Sequence, residues 1–223
     1  MKSPFSLFYL LIFLFLVGFL LAFVQIGILT VAFDKLGLSP HSAILLLLLS
    51  LFGSAINLPL FSVTAQRPTT LEELPPQLQG LLRQAMKEFR GRTTIAVNLG
   101  GCVIPVAFTL YLLGQHPLPL LQVIAAIVLV SMVCYFFSRP VPGLGIGMPI
   151  FVAPVTAAVV ALLINQEHSA PLAYISGTLG VLIGADIMRL GTIRAMGVPV
   201  ASIGGAGTFD GIFLTGIIAA LLA

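Results

Sequence analysis

The sequence predicts an all-α integral membrane protein with about seven transmembrane helices and with glycine-rich re-entrant segments before the fifth and seventh helices. Three observations favour this fold class. Hydrophobic residues make up 59% of the 223 positions, charged residues make up 8%, and the mean hydropathy is +1.15, whereas a soluble domain carries about 25% charged residues. Long apolar runs recur along the chain, and most approach the roughly 20 residues that cross a bilayer. Glycine and proline are concentrated ahead of two of the later runs.

The first two apolar runs predict one long span and one bent span. Residues 4–33 are almost wholly apolar. This run is too long for a signal peptide and lacks a clear cleavage site, so we expect an uncleaved span. The second helix is predicted over residues 42–65, with Ser39 or Ser42 as its N-cap. Pro59 is expected to kink this helix, because proline has no backbone N–H to donate.

The later runs predict helices three to six. A third helix is expected over residues 94–113 and a fourth over residues 118–137. Residues 140–149 are too rich in glycine and proline for a regular helix. The fifth helix, residues 149–164, covers only about 24 Å. We therefore expect the segment before it to dip into the membrane against protein or water. The sixth helix starts near Leu172.

We expect residues 1–223 to form a single polytopic membrane domain, in which residues 66–93 are a cytoplasmic loop. Within this loop, apolar side chains recur at helical spacing, and basic side chains occupy other positions. The pattern is typical of a short amphipathic helix on an anionic membrane surface, and a solvated linker helix is the alternative. The apolar positions are Leu78, Leu81, Leu82, Ala85, Met86 and Phe89, and the basic positions are Arg83, Lys87 and Arg90.

The distribution of basic residues predicts the orientation of the protein. With Lys2 on the cytoplasmic side, nine basic residues fall in cytoplasmic segments and Lys35 alone falls outside. Cytoplasmic loops carry the excess of Lys and Arg. We therefore expect a multi-pass protein of the cell inner (plasma) membrane, with a cytoplasmic N-terminus and an outer C-terminus. Membrane lipids are the expected partners. Nucleic acid is not, because the basic residues form no soluble basic domain.

No cofactor or metal is predicted. Cys102 and Cys134 lie in apolar runs, where free buried thiols are expected, and a disulfide would need both at one depth. No Cys-x-x-Cys pattern is present. The histidines His41, His116 and His168 fall in predicted outer loops, and three histidines could hold a metal. Because their spacing matches no metal motif, we expect solvated loop histidines.

Two carboxylates, Asp186 and Asp210, are the acidic residues that lie inside apolar runs. A charge there costs roughly 3 kcal/mol on insertion scales, so such a residue is by default a functional-site hypothesis. Asp186 comes towards the end of the sixth helix, and Asp210 lies within the last run, residues 198–223. If residues 202–207 form a re-entrant loop, Thr208 becomes the N-cap of a half-helix. Asp210 is then brought towards the depth of Asp186, in the cytoplasmic half of the membrane.

Two close carboxylates support two kinds of chemistry. Both cannot easily ionise, so one retains a proton. Such a pair can hydrolyse a peptide, with one carboxylate activating water while the protonated one polarises the carbonyl. The same pair could bind a cation or relay protons in a transporter of small molecules. The structural alternative pairs Asp186 with Arg189 or Arg194 and leaves Asp210 as a cap of its own helix.

The expected substrate-binding residues lie around these carboxylates. Gly205, Gly207 and Thr208 immediately precede Asp210 in the sequence. Asn57 is added because an amide within an apolar run can line the site. The alternative is that Asn57 bonds the backbone that Pro59 leaves free.

The motif around the second carboxylate is long. Residues 184–186 (Gly-Ala-Asp) and 204–216 (Gly-Gly-Ala-Gly-Thr-Phe-Asp-Gly-Ile-Phe-Leu-Thr-Gly) resemble a family of uncharacterised prokaryotic multispanning membrane proteins, a domain of unknown function, over most of the chain. A looser similarity is to the Gly-x-Gly-Asp intramembrane aspartyl proteases, the presenilin and prepilin-peptidase group. Here two residues separate the glycine motif from its carboxylate. This similarity implies an intramembrane protease with Asp186 and Asp210 as catalytic residues and a membrane-embedded peptide as substrate.

Overall fold

The computed structural model describes residues 12–19, 28–65, 91–141, 145–193, 198–205 and 211–223. These residues are mostly helical, with one small sheet and one short hairpin. The loop predicted to carry an amphipathic helix falls mainly at positions 66–90, which lie outside the described residues.

The described helices and strands are numbered here in chain order. The helices are α1 (residues 12–19), α2 (Ile28–Lys35), α3 (Pro40–Gly53), α4 (Leu99–Gln115), α5 (Leu120–Phe137), α6 (Val152–Ile164), α7 (Ser169–Thr192) and α8 (Gly211–Leu222). The strands are β1 (Asn57–Thr64), β2 (Arg92–Asn98), β3 (Arg139–Val141), β4 (Gly145–Gly147) and β5 (Val200–Ile203). Helix α4 begins with a π-helical turn, Leu99–Val103. Helix α7 is α-helical over Ser169–Val181, π-helical over Leu182–Asp186 and 3₁₀ over Ile187–Thr192.

The second half of predicted helix two is wrong, because strand β1 replaces it. Helix α3 begins at one of the two predicted N-caps, where the hydroxyl of Ser39 accepts a hydrogen bond from the backbone N–H of Ser42. The helix ends at Gly53, before the apolar run does. Pro59 lies in the strand, where it is compatible with an edge position. The prediction failed because the periodicity of a short apolar run does not distinguish a helix from a strand.

Helix three was predicted over residues 94–113, and the first part of this prediction is also wrong. Strand β2 has the sequence Arg-Thr-Thr-Ile-Ala-Val-Asn, and its four β-branched residues favour an extended backbone over a helical one. The helix begins only at Leu99, with the π-helical turn. Predicted helices four, five and six correspond to α5, α6 and α7, with starts that differ from the prediction by two or three residues.

Strands β1, β2 and β5 form a sheet with β2 at its centre. Strand β1 is antiparallel to β2, so that Asn57 lies opposite Asn98, and strand β5 is parallel to β2, so that Ser202 lies opposite Ala96. Side chains alternate between the two faces of a strand. These four residues therefore share one face, and Ile95 lies on the other, which packs against the end of α7. Within the described sheet, β5 is an edge strand.

The two segments predicted to be re-entrant contain strands. Where it is described, the segment 140–149 contributes to an antiparallel hairpin of β3 and β4, and the segment before the last helix contains β5. Strand pairing satisfies the backbone hydrogen bonds that a glycine- and proline-rich segment does not make as a helix. Helix α6 has 13 residues and is shorter than the predicted helix over residues 149–164. The depth of these segments in a membrane stays a prediction.

The α-helical part of α7, Ser169–Val181, lies at the centre of the helices. Twelve of its 13 residues are buried, and it packs against α5, α6 and α8. Helix α8 runs antiparallel to it, since the hydroxyl of Ser169 donates a hydrogen bond to the backbone oxygen of Ala223 at 3.0 Å. The two cysteines form no disulfide with each other; Cys134 is buried, as predicted, whereas Cys102 is half-buried.

Two described helices are long and apolar enough to cross a membrane. They are α5, with 18 residues and a mean hydropathy of 2.5, and α7, with 24 residues and a mean hydropathy of 1.4. Four other described helices are apolar but only 10–17 residues long. The seven predicted spans are therefore not confirmed, in part because β1 and β2 take residues that had been assigned to helices two and three.

Candidate functional site

The site is organised around a turn of four residues, 202–205, which we call the glycine turn. It follows strand β5 and is closed by a hydrogen bond from the N–H of Gly205 to the backbone oxygen of Ser202 at 3.3 Å. Gly204 has a φ of +87°, a conformation that side chains disfavour. A Cβ atom on Gly204 would also lie 2.7 Å from the backbone carbon of Gly101. The turn therefore needs glycine for its backbone conformation and for its packing against α4.

Asp186 contacts this turn directly. Its Oδ2 accepts a hydrogen bond from the N–H of Gly204 at 2.8 Å, and no other described residue bonds to the carboxylate. The side chain is half-buried. Asp186 is the last residue of the π-helical segment of α7, and such π-helical insertions occur frequently at functional sites. One carboxylate oxygen is thus held by the backbone, and the other is left available within the described part of the chain.

The pairing of Asp186 with Arg189 is wrong. The guanidinium of Arg189 donates to the backbone oxygens of Tyr135 at 2.7 Å and Ser138 at 2.8 Å, and to the hydroxyl of Ser138 at 3.2 Å. It also lies over the Tyr135 ring, 4.2 Å from the centroid. Arg189 therefore binds the last carbonyl groups of α5, where a cation is favourable. Arg194, the other proposed partner, lies outside the described residues.

A hydrogen-bonded cluster of polar side chains adjoins the glycine turn. Oδ1 of Asn57 accepts hydrogen bonds from the hydroxyl of Ser202 at 2.5 Å and from the amide of Asn98 at 3.0 Å. The amide of Asn98 also donates to the backbone oxygen of Ser54 at 2.7 Å, and its carbonyl accepts the N–H of Gly101 at 2.8 Å. Asn98 is only 1% exposed. It therefore joins α3, β1 and the π-helical turn of α4 with few unsatisfied polar atoms.

A cleft of ≈ 380 Å³ opens on the same face of the sheet. Its lining includes Asn57, Thr94 and Val200, one from each of the three strands. The volume is within the range of small-molecule sites, about 300–1,000 Å³. Asn57 therefore lies between this cleft and the turn that holds Asp186.

Only some of the predicted site residues lie within the described ranges. Asp186, Asn57 and Gly205 are described, and they are connected through the glycine turn as set out above. Asp210, Gly207 and Thr208 lie outside the described residues.

Sequence reasoning missed two members of this site. Asn98 was assigned to the interior of a helix. Its position at the end of a β-branched run was the available signal. Ser202 was noted beside the glycines, but its bond to Asn57 joins residues 145 positions apart and has no local signature.

No group of three or more metal-ligating side chains occurs within the described ranges. The rings of His116 and His168 do approach one another, with centroids 6.0 Å apart. Within the described ranges, no third metal-ligating side chain joins this pair.

Comparison with known proteins gives a family. No significant match was found among curated proteins or among solved structures. A family model described as "Protein of unknown function (DUF1614)" matches residues 51–222. The matched range includes all five strands, both carboxylates and helices α4 to α8. The chain therefore belongs to the DUF1614 family of proteins of unknown function.

Proposed function

We propose that this protein is a membrane-embedded hydrolase in which Asp186 and Asp210 cleave a membrane-embedded peptide. The observation that carries the proposal is the hydrogen bond from Gly204 to the Asp186 carboxylate, which holds this group at the end of strand β5. A second observation is that β5 is one of the two edge strands of the described sheet. Exposed sheet edges accept extended peptides as additional strands. A peptide added to β5 would be led towards Asp186.

The packing of α8 against α7 supports a role for Asp210. Gly216 of α8 contacts Tyr174 and Thr178 of α7. The hydrogen bond from Ser169 to Ala223 joins the start of α7 to the end of α8. These contacts define an antiparallel pairing with no large offset between the helices.

Continued to the start of α8, this pairing puts Gly211 about level with Leu182. Leu182 is four residues before Asp186, about 6 Å along the helix axis. Asp210 is covalently joined to Gly211, and consecutive Cα atoms are about 3.8 Å apart. We infer that the two carboxylates belong to one site.

The chemistry follows from a pair of this kind. The ionised carboxylate takes a proton from a water molecule as the water oxygen bonds to the peptide carbonyl carbon, while the protonated carboxylic acid donates to the carbonyl oxygen. The C–N bond then breaks, the departing nitrogen takes a proton from one carboxyl group, and a hydroxyl of the tetrahedral intermediate returns a proton to the other, so that the pair again holds one proton. The Gly204 N–H orients the Asp186 carboxylate for this role.

The proposed setting is the inner membrane, with several spans and a cytoplasmic N-terminus. Helices α5 and α7 supply two apolar segments of sufficient length. The basic residues favour this orientation by the excess of Lys and Arg on one side. Asp186 then lies in the cytoplasmic half, near the end of α7.

The test is cleavage of single-span reporter peptides by the full chain in proteoliposomes. Asp186→Asn and Asp210→Asn should each lower the rate by about 10²–10⁴-fold, and the double variant should lose no more than either single one, because the residues act as a unit. Glu167→Gln is the matched control, since Glu167 is exposed at the opposite end of α7. Cleavage that survives Asp186→Asn with the protein inserted would contradict the proposal.

One observation favours a second function, proton- or cation-coupled transport of a small molecule. Helix α7 changes from α to π geometry at Leu182 and from π to 3₁₀ geometry after Asp186, and discontinuous helices form the ion sites of many transporters. Uptake into proteoliposomes that depends on Asp186 and on a proton or cation gradient, without cleavage of any reporter, would support transport and exclude the hydrolase.

A further inference from the structure

A second cleft lies at the C-terminal end of α5, and Asp186 is not among its lining residues. Its volume is ≈ 500 Å³, and its lining includes Phe136, Phe137, Arg139 and Met148. The hairpin of β3 and β4 forms one wall. The cleft is therefore placed where an apolar helix, long enough to span a membrane, meets a basic side chain.

Among the described residues, two arginines lie near this end of α5, and they have different partners. Arg189 is bound by backbone oxygens and by the Tyr135 ring, as described above. The Arg139 side chain is exposed and makes no hydrogen bond or ion pair with any residue in the described ranges. Within the described lining of this cleft, Arg139 is therefore the cation that remains available to a ligand.

The apolar residues around Arg139 indicate the kind of anion. Phe136 and Phe137, which line the cleft, are 71% and 53% exposed. Ile150 and Phe151 follow the lining residue Pro149 in the sequence and are 68% and 69% exposed. A free anion would gain nothing from these side chains. A phospholipid offers a phosphate for the guanidinium and acyl chains for the aromatic and aliphatic surface.

We propose that this cleft binds an anionic glycerophospholipid, with its phosphodiester on Arg139 and its acyl chains against Phe136 and Phe137. Arginine pairs well with phosphate because its planar donors match the phosphate oxygens. The proposal rests on the membrane setting proposed above, and it is independent of any hydrolysis at Asp186.

The test measures phospholipid adducts on the purified full chain by native mass spectrometry in detergent. Phosphatidylglycerol should bind more tightly than phosphatidylcholine. Arg139→Gln should weaken phosphatidylglycerol binding by about fivefold. It should weaken phosphatidylcholine binding less, because the choline ammonium offsets the charge of the same phosphodiester. Arg92→Gln is the matched control, because it removes the same charge from an exposed position at the start of β2. This variant should change the binding of neither phospholipid. Arg139→Lys should retain most of the preference. If Arg139→Gln does not fold, Arg139→Met replaces it, because methionine also removes the charge and keeps a long side chain.

Other results would overturn the proposal. Equal losses of phosphatidylglycerol binding in the Arg139→Gln and Arg92→Gln variants would show a general effect of net charge and no specific site at Arg139. Displacement of phosphatidylglycerol by inorganic phosphate at similar concentrations would show a site for free phosphate. Flotation of the reconstituted protein with liposomes separates the two proposals. A protein that floats but shows no dependence on Arg139 refutes the lipid site alone, whereas one that does not float refutes the membrane setting as well.

Discussion

Two π-helical turns contact the same glycine turn, and they differ in how their polar groups are used. The first, Leu99–Val103, packs against Gly204 and is capped by Asn98, whose amide and carbonyl are both hydrogen-bonded. The second, Leu182–Asp186, ends in a carboxylate that has one described partner, the N–H of Gly204. The first turn therefore joins helix to sheet, while the second presents a group that has capacity for a further partner.

The comparison teaches that a helix irregularity is not by itself a functional feature. Both turns depart from α-helical geometry inside apolar segments. What separates them is the buried amide at one and the half-buried carboxylate at the other. Substitutions at the first turn should therefore affect folding, and those at the second should affect activity.

The largest expected effect on stability is at Gly100, in the first turn. A Cβ atom there would overlap the backbone oxygen of Ser50 and approach the backbone of Gly53, and backbone moves less readily than a side chain. We expect Gly100→Ala to lower the free energy of unfolding by about 3 kcal/mol, measured by denaturant titration in detergent. Gly114→Ala is the control, because nothing lies within 4 Å of its Cβ position. Equal destabilisation by both variants would contradict the close contact of α3 and α4.

A smaller loss is expected at Asn98. Asn98→Ala leaves the Ser54 carbonyl and the Gly101 N–H without their partner, at a cost of about 2 kcal/mol. Asn57→Ala should cost less, because Asn57 is only half-buried and water can replace its bonds. Thermal unfolding of the two variants, measured side by side, checks which one loses more stability. A larger loss in Asn57→Ala would contradict this prediction and show that Asn57 contributes more than Asn98 to the stability of the cluster.

The smallest effect on stability is expected at the second turn. Asp186→Asn preserves a side-chain oxygen that can accept the Gly204 N–H, so the free energy of unfolding should change by less than about 1 kcal/mol. The same variant should lose the activity proposed above. An unfolded Asp186→Asn protein would show that the carboxylate has a structural role like that of Asn98, and the contrast between the turns would disappear.

The sequence predicts some of this fold well, and the reason is physical. Helices α5, α6 and α7 follow from long apolar runs bounded by polar or proline-rich turns. Strands β1 and β2 were assigned to helices, because a membrane-like composition favours helix and a run of about eight apolar residues fits either structure. The sheet also depends on β5, which lies about 100 residues after β2, and its pairing is not visible in local patterns.

The sequence predicted those site residues that are conspicuous locally and missed those whose partners are distant in the chain. Asp186 was found because a carboxylate in an apolar run is costly and conspicuous. Asn98 was missed because an amide is less costly to bury and because its partners, in α3 and β1, come together only in the folded chain. Asn57 was proposed from its place in an apolar run, and its contact with Ser202 became visible only with the sheet.

The central claim is that Asp186 is one half of a functional pair and is not a structural residue. An experimental structure of the full chain in a lipid nanodisc, with Asp210 resolved, measures this directly. We predict that the two carboxylates lie within about 8 Å of each other, near enough to share a water molecule, and that the Gly204 N–H bonds to Asp186. A packed helix between the carboxylates, or an arginine bonded to Asp186, would contradict the claim.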